Sequence, residues 1–174
     1  MPANVYDYFN VCKTCTDEQC CADPYFTFCA RNEIIKINTF LKSFPKSFQK
    51  YLNSTSIIYN NKKYNYYGIK KIKGVCIFLK DRRICLIHEV KPLHCRAWPL
   101  IWSYNEGENK IYIFIDADPN CHLSNILSKD TQWIEKTKQM IVSEVQQMPK
   151  VDLIAFSELD ADDTLLLIDT IDLE

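Results

Sequence analysis

Glycine is almost missing from this chain, which carries only Gly68, Gly74 and Gly107. None of these forms a G-x-G turn, so the usual Rossmann-like cofactor site, where bare backbone meets a pyrophosphate, is excluded. No apolar run approaches the roughly 20 residues that a membrane-spanning helix requires. The opening "MPANVYDYF" lacks the basic start and apolar stretch of a secretion signal, so the expected compartment is the cytoplasm, with no membrane contact. No Ser-His-Asp set and no H-E-x-x-H is legible, which removes two common hydrolase designs. The C-x3-C-x2-C spacing of radical S-adenosylmethionine enzymes is absent as well, because Cys12, Cys15 and Cys20 are separated by two and then four residues.

What is present is a globular composition, 47% apolar and 13% aromatic over 174 residues, enough for one domain with a real core. The net charge of −1 conceals an asymmetry. Residues 151–174 hold eight acidic side chains and no Lys or Arg, leaving 14 acidic against 21 basic residues in 1–150. This acidic tail reads as a solvated segment whose "LLLI" packs somewhere, the alternative being masking of the basic body or a contact for a protein partner.

Nine cysteines are the dominant feature, four of them inside "CKTCTDEQCC" at Cys12, Cys15, Cys20 and Cys21. Cytosolic thiols stay reduced and an odd count leaves a disulfide framework incomplete, so the pattern argues for metal or redox chemistry. The C-x-x-C of Cys12 and Cys15 can aim two thiolates at one ion about 2.3 Å away. Cys20 and Cys21 are adjacent and their side chains diverge, so one is a ligand or the two serve two centres. Eight sulfurs complete two tetrahedral S4 sites, or one iron–sulfur cluster plus one zinc. His88, His94 and His122 are the available substitutes for a sulfur, and Cys29 in "YFTFCA" reads as a small buried hydrophobe.

Residues 1–30 read as loop. The spacing predicts a helix over 31–44 ended by Pro45, then a short helix in "SFQKYLNS". Two strands follow around Asn60-Asn61. "GVCIFLKDRRICLIHEV", residues 74–90, reads as one β-hairpin with Leu79 opposite Ile84, placing Cys76 and Cys85 on one face and His88 on the other. Residues 110–116 read as a strand and 128–148 as the clearest helix, with Trp133, Ile134, Thr137, Met140, Ile141, Val145 and Met148 on its apolar side.

The order C-x2-C-x4-C-C, "GVCIFL", "CLIHEVKPLHCRAWP" and Cys121 resembles the YkgJ-type cysteine-cluster family, the zinc- or iron-chelating domain with a CxxCxxCC signature. Cys85, Ile87, His88, Pro92, Cys95, Arg96 and Pro99 match its later segment, and the likeness spans about residues 12–121. Four residues rather than two separate Cys15 from Cys20, Lys91 stands where Arg is usual and His88 where Tyr is usual. The resemblance implies eight ligands, Cys12, Cys15, Cys20, Cys21, Cys76, Cys85, Cys95 and Cys121, with Cys29 left over. It also implies an iron–sulfur cluster (4Fe–4S) or zinc. Flagellin lysine-N-methylases carry a similar cluster, so an iron–sulfur-dependent protein-modifying enzyme is the alternative function.

The expectation is therefore an α+β fold: a small single domain with an antiparallel sheet, flanking helices and a cysteine-ligated metal centre. Residues 1–125 form the metal-binding domain, and a C-terminal helix and acidic tail, 126–174, pack on it. Arg96 is expected to donate to a thiolate or nearby carbonyls, or else to lie on the surface. Two further readings compete. Lys62, Lys63, Lys70, Lys71 and Lys73 interleave with Tyr64, Tyr66 and Tyr67 in the manner of a nucleic-acid contact, although a solvated hairpin explains them better. Cys12 and Cys15 are also spaced as a redox pair, which would carry no stoichiometric metal.

Overall fold

The structure is a computed structural model that describes residues 27–81, 84–117, 121–156 and 165–173. Cys12, Cys15, Cys20 and Cys21 lie outside the described residues. The architecture mixes helices with small antiparallel sheets, an α+β arrangement.

The first half builds outward from one hairpin. Strands β2 (Leu52–Tyr59) and β3 (Lys62–Ile69) pair over their full length around Asn60 and Asn61. Both turn residues have positive φ, 48° and 58°, the backbone twist of a two-residue hairpin that asparagine tolerates. The short strand β1 (Phe28–Cys29) adds to the other side of β3, with Phe28 opposite Gly68 and Cys29 opposite Tyr67. Helix α1 (Arg31–Phe40) follows at once, and a 3-10 turn at Leu41–Ser43 runs it towards Pro45. Part of the expected second helix is a further 3-10 turn, Lys46–Lys50, and the chain is already in β2 at Leu52.

The single hairpin expected over residues 74–90 is instead parts of two. β4 (Lys71–Ile72) pairs with β5 (Val75–Cys76) around Lys73 and Gly74, whose φ values of 52° and 81° make a second tight turn. β6 (Leu79–Lys80) then pairs with β7 (Ile84–Cys85), and Leu79 faces Cys85 rather than Ile84. The chain turns again at residues 77–78, so Cys76 sits opposite Lys71 and no continuous ladder carries Cys76 and Cys85. A 3-10 turn (His88–Val90) leads into helix α2 (Leu93–Ala97).

The second half is a three-stranded sheet with helices against it. β8 (Leu100–Asn105) and β10 (Leu165–Asp172) flank β9 (Lys110–Asp116), which alternates cleanly and buries Ile111, Ile113 and Ile115. Helices α3 (His122–Leu127), α4 (Thr131–Val145) and α5 (Lys150–Ile154) complete it. Asp130 caps α4 by accepting the Trp133 N–H at 2.9 Å, and α4 buries Trp133, Thr137, Ile141 and Val145, the expected stripe. Of the acidic tail, the start, with Asp152, lies in α5, and the end forms strand β10. It pairs along β9, and its Asp169 and Asp172 meet Lys138 and Lys110.

Two cores result. The larger joins β8 and β9 to α2–α5 around Trp102, whose ring centre is 4.2 Å from that of Phe156. The smaller gathers Cys29, Ile37, Leu41, Tyr51, Ile69, Phe78 and Ile87, with Cys76 and Cys85 packed against it. Trp102 is fully buried, so Trp102→Ala is expected to cost about 3–5 kcal/mol of unfolding free energy. Asp130→Ala, which removes only a helix cap, is expected to cost about 1 kcal/mol. Urea denaturation of both variants checks this, and equal losses would contradict the central position of Trp102.

Candidate metal centre

The described cysteines separate into two groups. Cys29 on β1, Cys76 on β5, Cys85 on β7 and Cys95 on α2 lie close enough to influence one another electrostatically. Burial pushes the Cys95 thiol up to about 12, and the nearby Cys76 and Cys85 add to this while Lys91 opposes it. Cys29 is raised well above the ordinary thiol value, first by burial and then by Glu33, Cys95 and Cys76. Cys76 is also raised, mainly by burial, but the backbone N–H groups of Phe78 and Leu79 are directed at its sulfur and favour its thiolate. Cys121 is elsewhere. It is buried in the larger core, caps α3, and accepts the Ser124 N–H on its sulfur at 3.4 Å.

The three histidines also differ. His88 and His122 are exposed. His94, next to Cys95, keeps some exposed surface, but its Nδ1 is buried without a hydrogen-bond partner among the described residues. Burial, helped by Lys71, pushes its pKa down to about 4. The imidazole is therefore neutral at pH 7, the form that binds metals.

One buried carboxylate sets the spacing of these elements. Glu33, 3% exposed, accepts the N–H of Ala30 at 2.8 Å and also the N–H of Leu93. Ala30 follows Cys29 directly, and Leu93 stands two residues before Cys95. Glu33 occupies the third position of α1, where a glutamate reaches back to the helix start, but the usual Ser or Thr partner is absent, which hid it in the sequence. Arg96 lies 3.8 Å from Glu33 and forms a two-bond fork with Glu144 of α4, both contacts at 2.6 Å. Its Nε donates to the Lys91 carbonyl at 2.9 Å. Arg96 thus bonds a neighbouring carbonyl, as expected, and spends its remaining donors on Glu144 and Met140 rather than on a thiolate.

The donor set suits zinc or iron: soft sulfur donors, one neutral imidazole with an unpartnered nitrogen, and backbone N–H groups at a sulfur. Among the described residues, no three His, Cys, Asp or Glu side chains are disposed around a single point as ligands of one ion.

The Arg96–Glu144 fork is testable by pH. Arg96 holds the Glu144 carboxyl below its ordinary value, so its contribution is present above the unfolded pKa and is lost as pH falls through the folded one. Glu144→Gln is expected to cost roughly 1–2 kcal/mol at pH 7. The gap from wild type should close below about pH 4. A deficit in urea unfolding that is unchanged at pH 3.5 would contradict a charge-based role.

Comparison with known proteins adds one finding. Residues 11–137, well over half the chain, match the family model CxxCxxCC, described as "Putative zinc- or iron-chelating domain". No curated protein and no solved structure gives a significant match. The span takes in the thiol group of β1, β5, β7 and α2 and the N-terminal cysteine run together, and on that match the chain belongs to the CxxCxxCC family of zinc- or iron-chelating domains.

Proposed function

We propose that this protein is a metal-binding protein whose cysteines hold an iron–sulfur cluster, with zinc as the alternative occupant. Cys12, Cys15, Cys20 and Cys21 supply one part of the ligand set; Cys76, Cys85, Cys95 and Cys121 supply the other. The observation that carries this reading is the family match over residues 11–137, supported by the half-buried thiols of Cys76, Cys85 and Cys95, which come from separate elements and raise one another's pKa. Thiolates crowded in a low-dielectric site repel one another and pay a desolvation cost, and a multivalent cation offsets both. Each thiol releases its proton to solvent as its bond to the metal forms.

When bound, the centre supplies a crosslink between distant parts of the chain and, if it is iron–sulfur, a one-electron couple. The chain's own residues supply the setting. Phe78 and Leu79 N–H groups favour the Cys76 thiolate, and Phe78 and Ile87 keep water from the surrounding core. His94 offers a neutral nitrogen beside Cys95.

Protein purified without oxygen is expected to contain stoichiometric iron and sulfide with a brown colour, or else zinc with no colour. Material that folds normally with neither metal would overturn the proposal. Removing the metal with a chelator should also act unevenly. Amide hydrogen exchange is expected to accelerate in β4–β7 and α2, while the sheet β8–β9–β10 keeps most of its protection. At a thousandfold excess of free metal over Kd, the lost stabilisation is about 4 kcal/mol.

A further inference from the structure

We propose that the outward face of the β2–β3 hairpin binds single-stranded nucleic acid, an activity separate from metal binding.

The charge of this half of the molecule is uncompensated. Residues 31–80 contain eleven Lys or Arg and one acidic residue, Glu33. Glu33 is buried and committed to two backbone N–H groups and Arg96, so it does not neutralise the surface. Lys42, Lys46, Lys50, Lys62, Lys63 and Lys73 are exposed, and none of them forms an ion pair among the described residues. Cations of the other half are placed differently: Arg96, Lys110, Lys138 and Lys150 each meet a carboxylate. Unpaired cations gathered on one side attract a polyanion and speed its arrival.

The hairpin sorts its side chains by face. Its register sets Ile58 opposite Lys63, Ser56 opposite Asn65 and Ser54 opposite Tyr67, so these six share one side. All six are exposed, Ile58 by 79% and Tyr67 by 38%. The alternate residues Ile57, Tyr59, Tyr64 and Tyr66 turn to the larger core. The tyrosines are thus divided. Tyr64 and Tyr66 support the fold, as in a solvated hairpin, while Tyr67 offers its ring beside lysines. Those lysines stand at both ends of the face. Lys62 and Lys63 adjoin the Asn60-Asn61 turn. At the far end, the Lys70 N–H donates to the Tyr51 carbonyl at 2.6 Å, which sets Lys70 next to the start of β2, just after Lys50.

Each part has a use toward one polynucleotide strand. Lysines at the two ends follow its phosphates, Tyr67 stacks on a base, and Ser54, Ser56 and Asn65 hydrogen-bond sugar or base edges. A flat strip that presents no helix to a groove suits a single strand better than a duplex. Ile58 and Tyr67 are the only large apolar groups of the six, too few for the apolar centre of a protein interface or for insertion into a membrane.

The test uses the full chain with its metal as purified, and fluorescence anisotropy of a labelled oligouridylate of about 12 nucleotides. Affinity is expected to fall more than about tenfold between roughly 50 and 200 mM salt, as three or so phosphate contacts require. Lys63→Glu should weaken binding by about fivefold or more, whereas Lys136→Glu, which reverses an exposed charge on α4, should not. Tyr67→Ala should weaken it by about fivefold or more with the salt slope unchanged, and Tyr67→Phe, which keeps the ring, should bind as wild type. Thermal melting of each variant separates these losses from unfolding. The absence of salt-dependent binding would overturn the proposal, as would equal losses in the two charge variants. Tighter binding to polyglutamate or to phosphatidylserine vesicles than to oligouridylate would equally overturn it, assigning the face to an acidic protein or a membrane.

Discussion

The carboxylate of Glu33 holds the thiol-bearing half of this molecule in shape. Burial raises its pKa, while the two backbone N–H groups and Arg96 work in the other direction. That balance matters because a buried carboxylate without such partners would cost several kcal/mol or simply neutralise. Here it binds Ala30, directly after Cys29, and Leu93, 60 residues beyond Glu33 and just before Cys95. Arg96 then carries the connection to α4 through Glu144, so the long helix of the larger core braces the short helix that presents Cys95. The chain thereby solves with fixed charges a problem that short elements cannot solve by packing: α2 has five residues, and β5 and β7 have two each.

The thiol site runs opposite to that logic. Glu33 has its compensating donors within the protein, whereas Cys76 and Cys95 are pushed up first by burial and then by neighbouring thiols. The surroundings are apolar, with Phe78 and Ile87 fully buried, and Lys91 and Lys71 provide only partial positive balance. The Phe78 and Leu79 N–H groups aimed at the Cys76 sulfur favour an anion in a place where burial disfavours one. In the proposed metal-bound protein, a cation joined to the thiolates would meet both preferences together. Zinc and the iron of a cluster would each supply that positive charge.

Much of the scaffold was legible because it obeys local rules. The Asn60-Asn61 turn, the β9 alternation and the stripe of α4 each follow from a few neighbouring residues. The hairpin expected over 74–90 resolves into parts of two because its strands are two residues long, too short for alternation to register, and because Lys73-Gly74 forms a tight turn of its own. β8 was missed since "LIWSYN" buries nearly every side chain and so shows little period. The site was legible in kind, as a cysteine pattern of the zinc- or iron-chelating family. A cysteine pattern does not report which core each sulfur enters: Cys29 lies in the smaller core and Cys121 in the larger through long-range contacts that leave no spacing to read. Glu33 and Glu144 were invisible for the same reason.

The two cores divide the labour in a way that explains why the thiols sit where they do. The larger one, around Trp102, has a three-stranded sheet, a fifteen-residue helix and a continuous apolar interior. The smaller one is bounded by two-residue strands, 3-10 turns and α1, elements that bury little surface each. Small cores of this kind stay ordered when a metal or another crosslink adds to them. A metal held through Cys76, Cys85 and Cys95 would join β5, β7 and α2, elements of two, two and five residues. A centre in the larger core would strengthen what is already strong. A crosslink at these thiols would therefore act on the short elements of the smaller core, where packing alone contributes little.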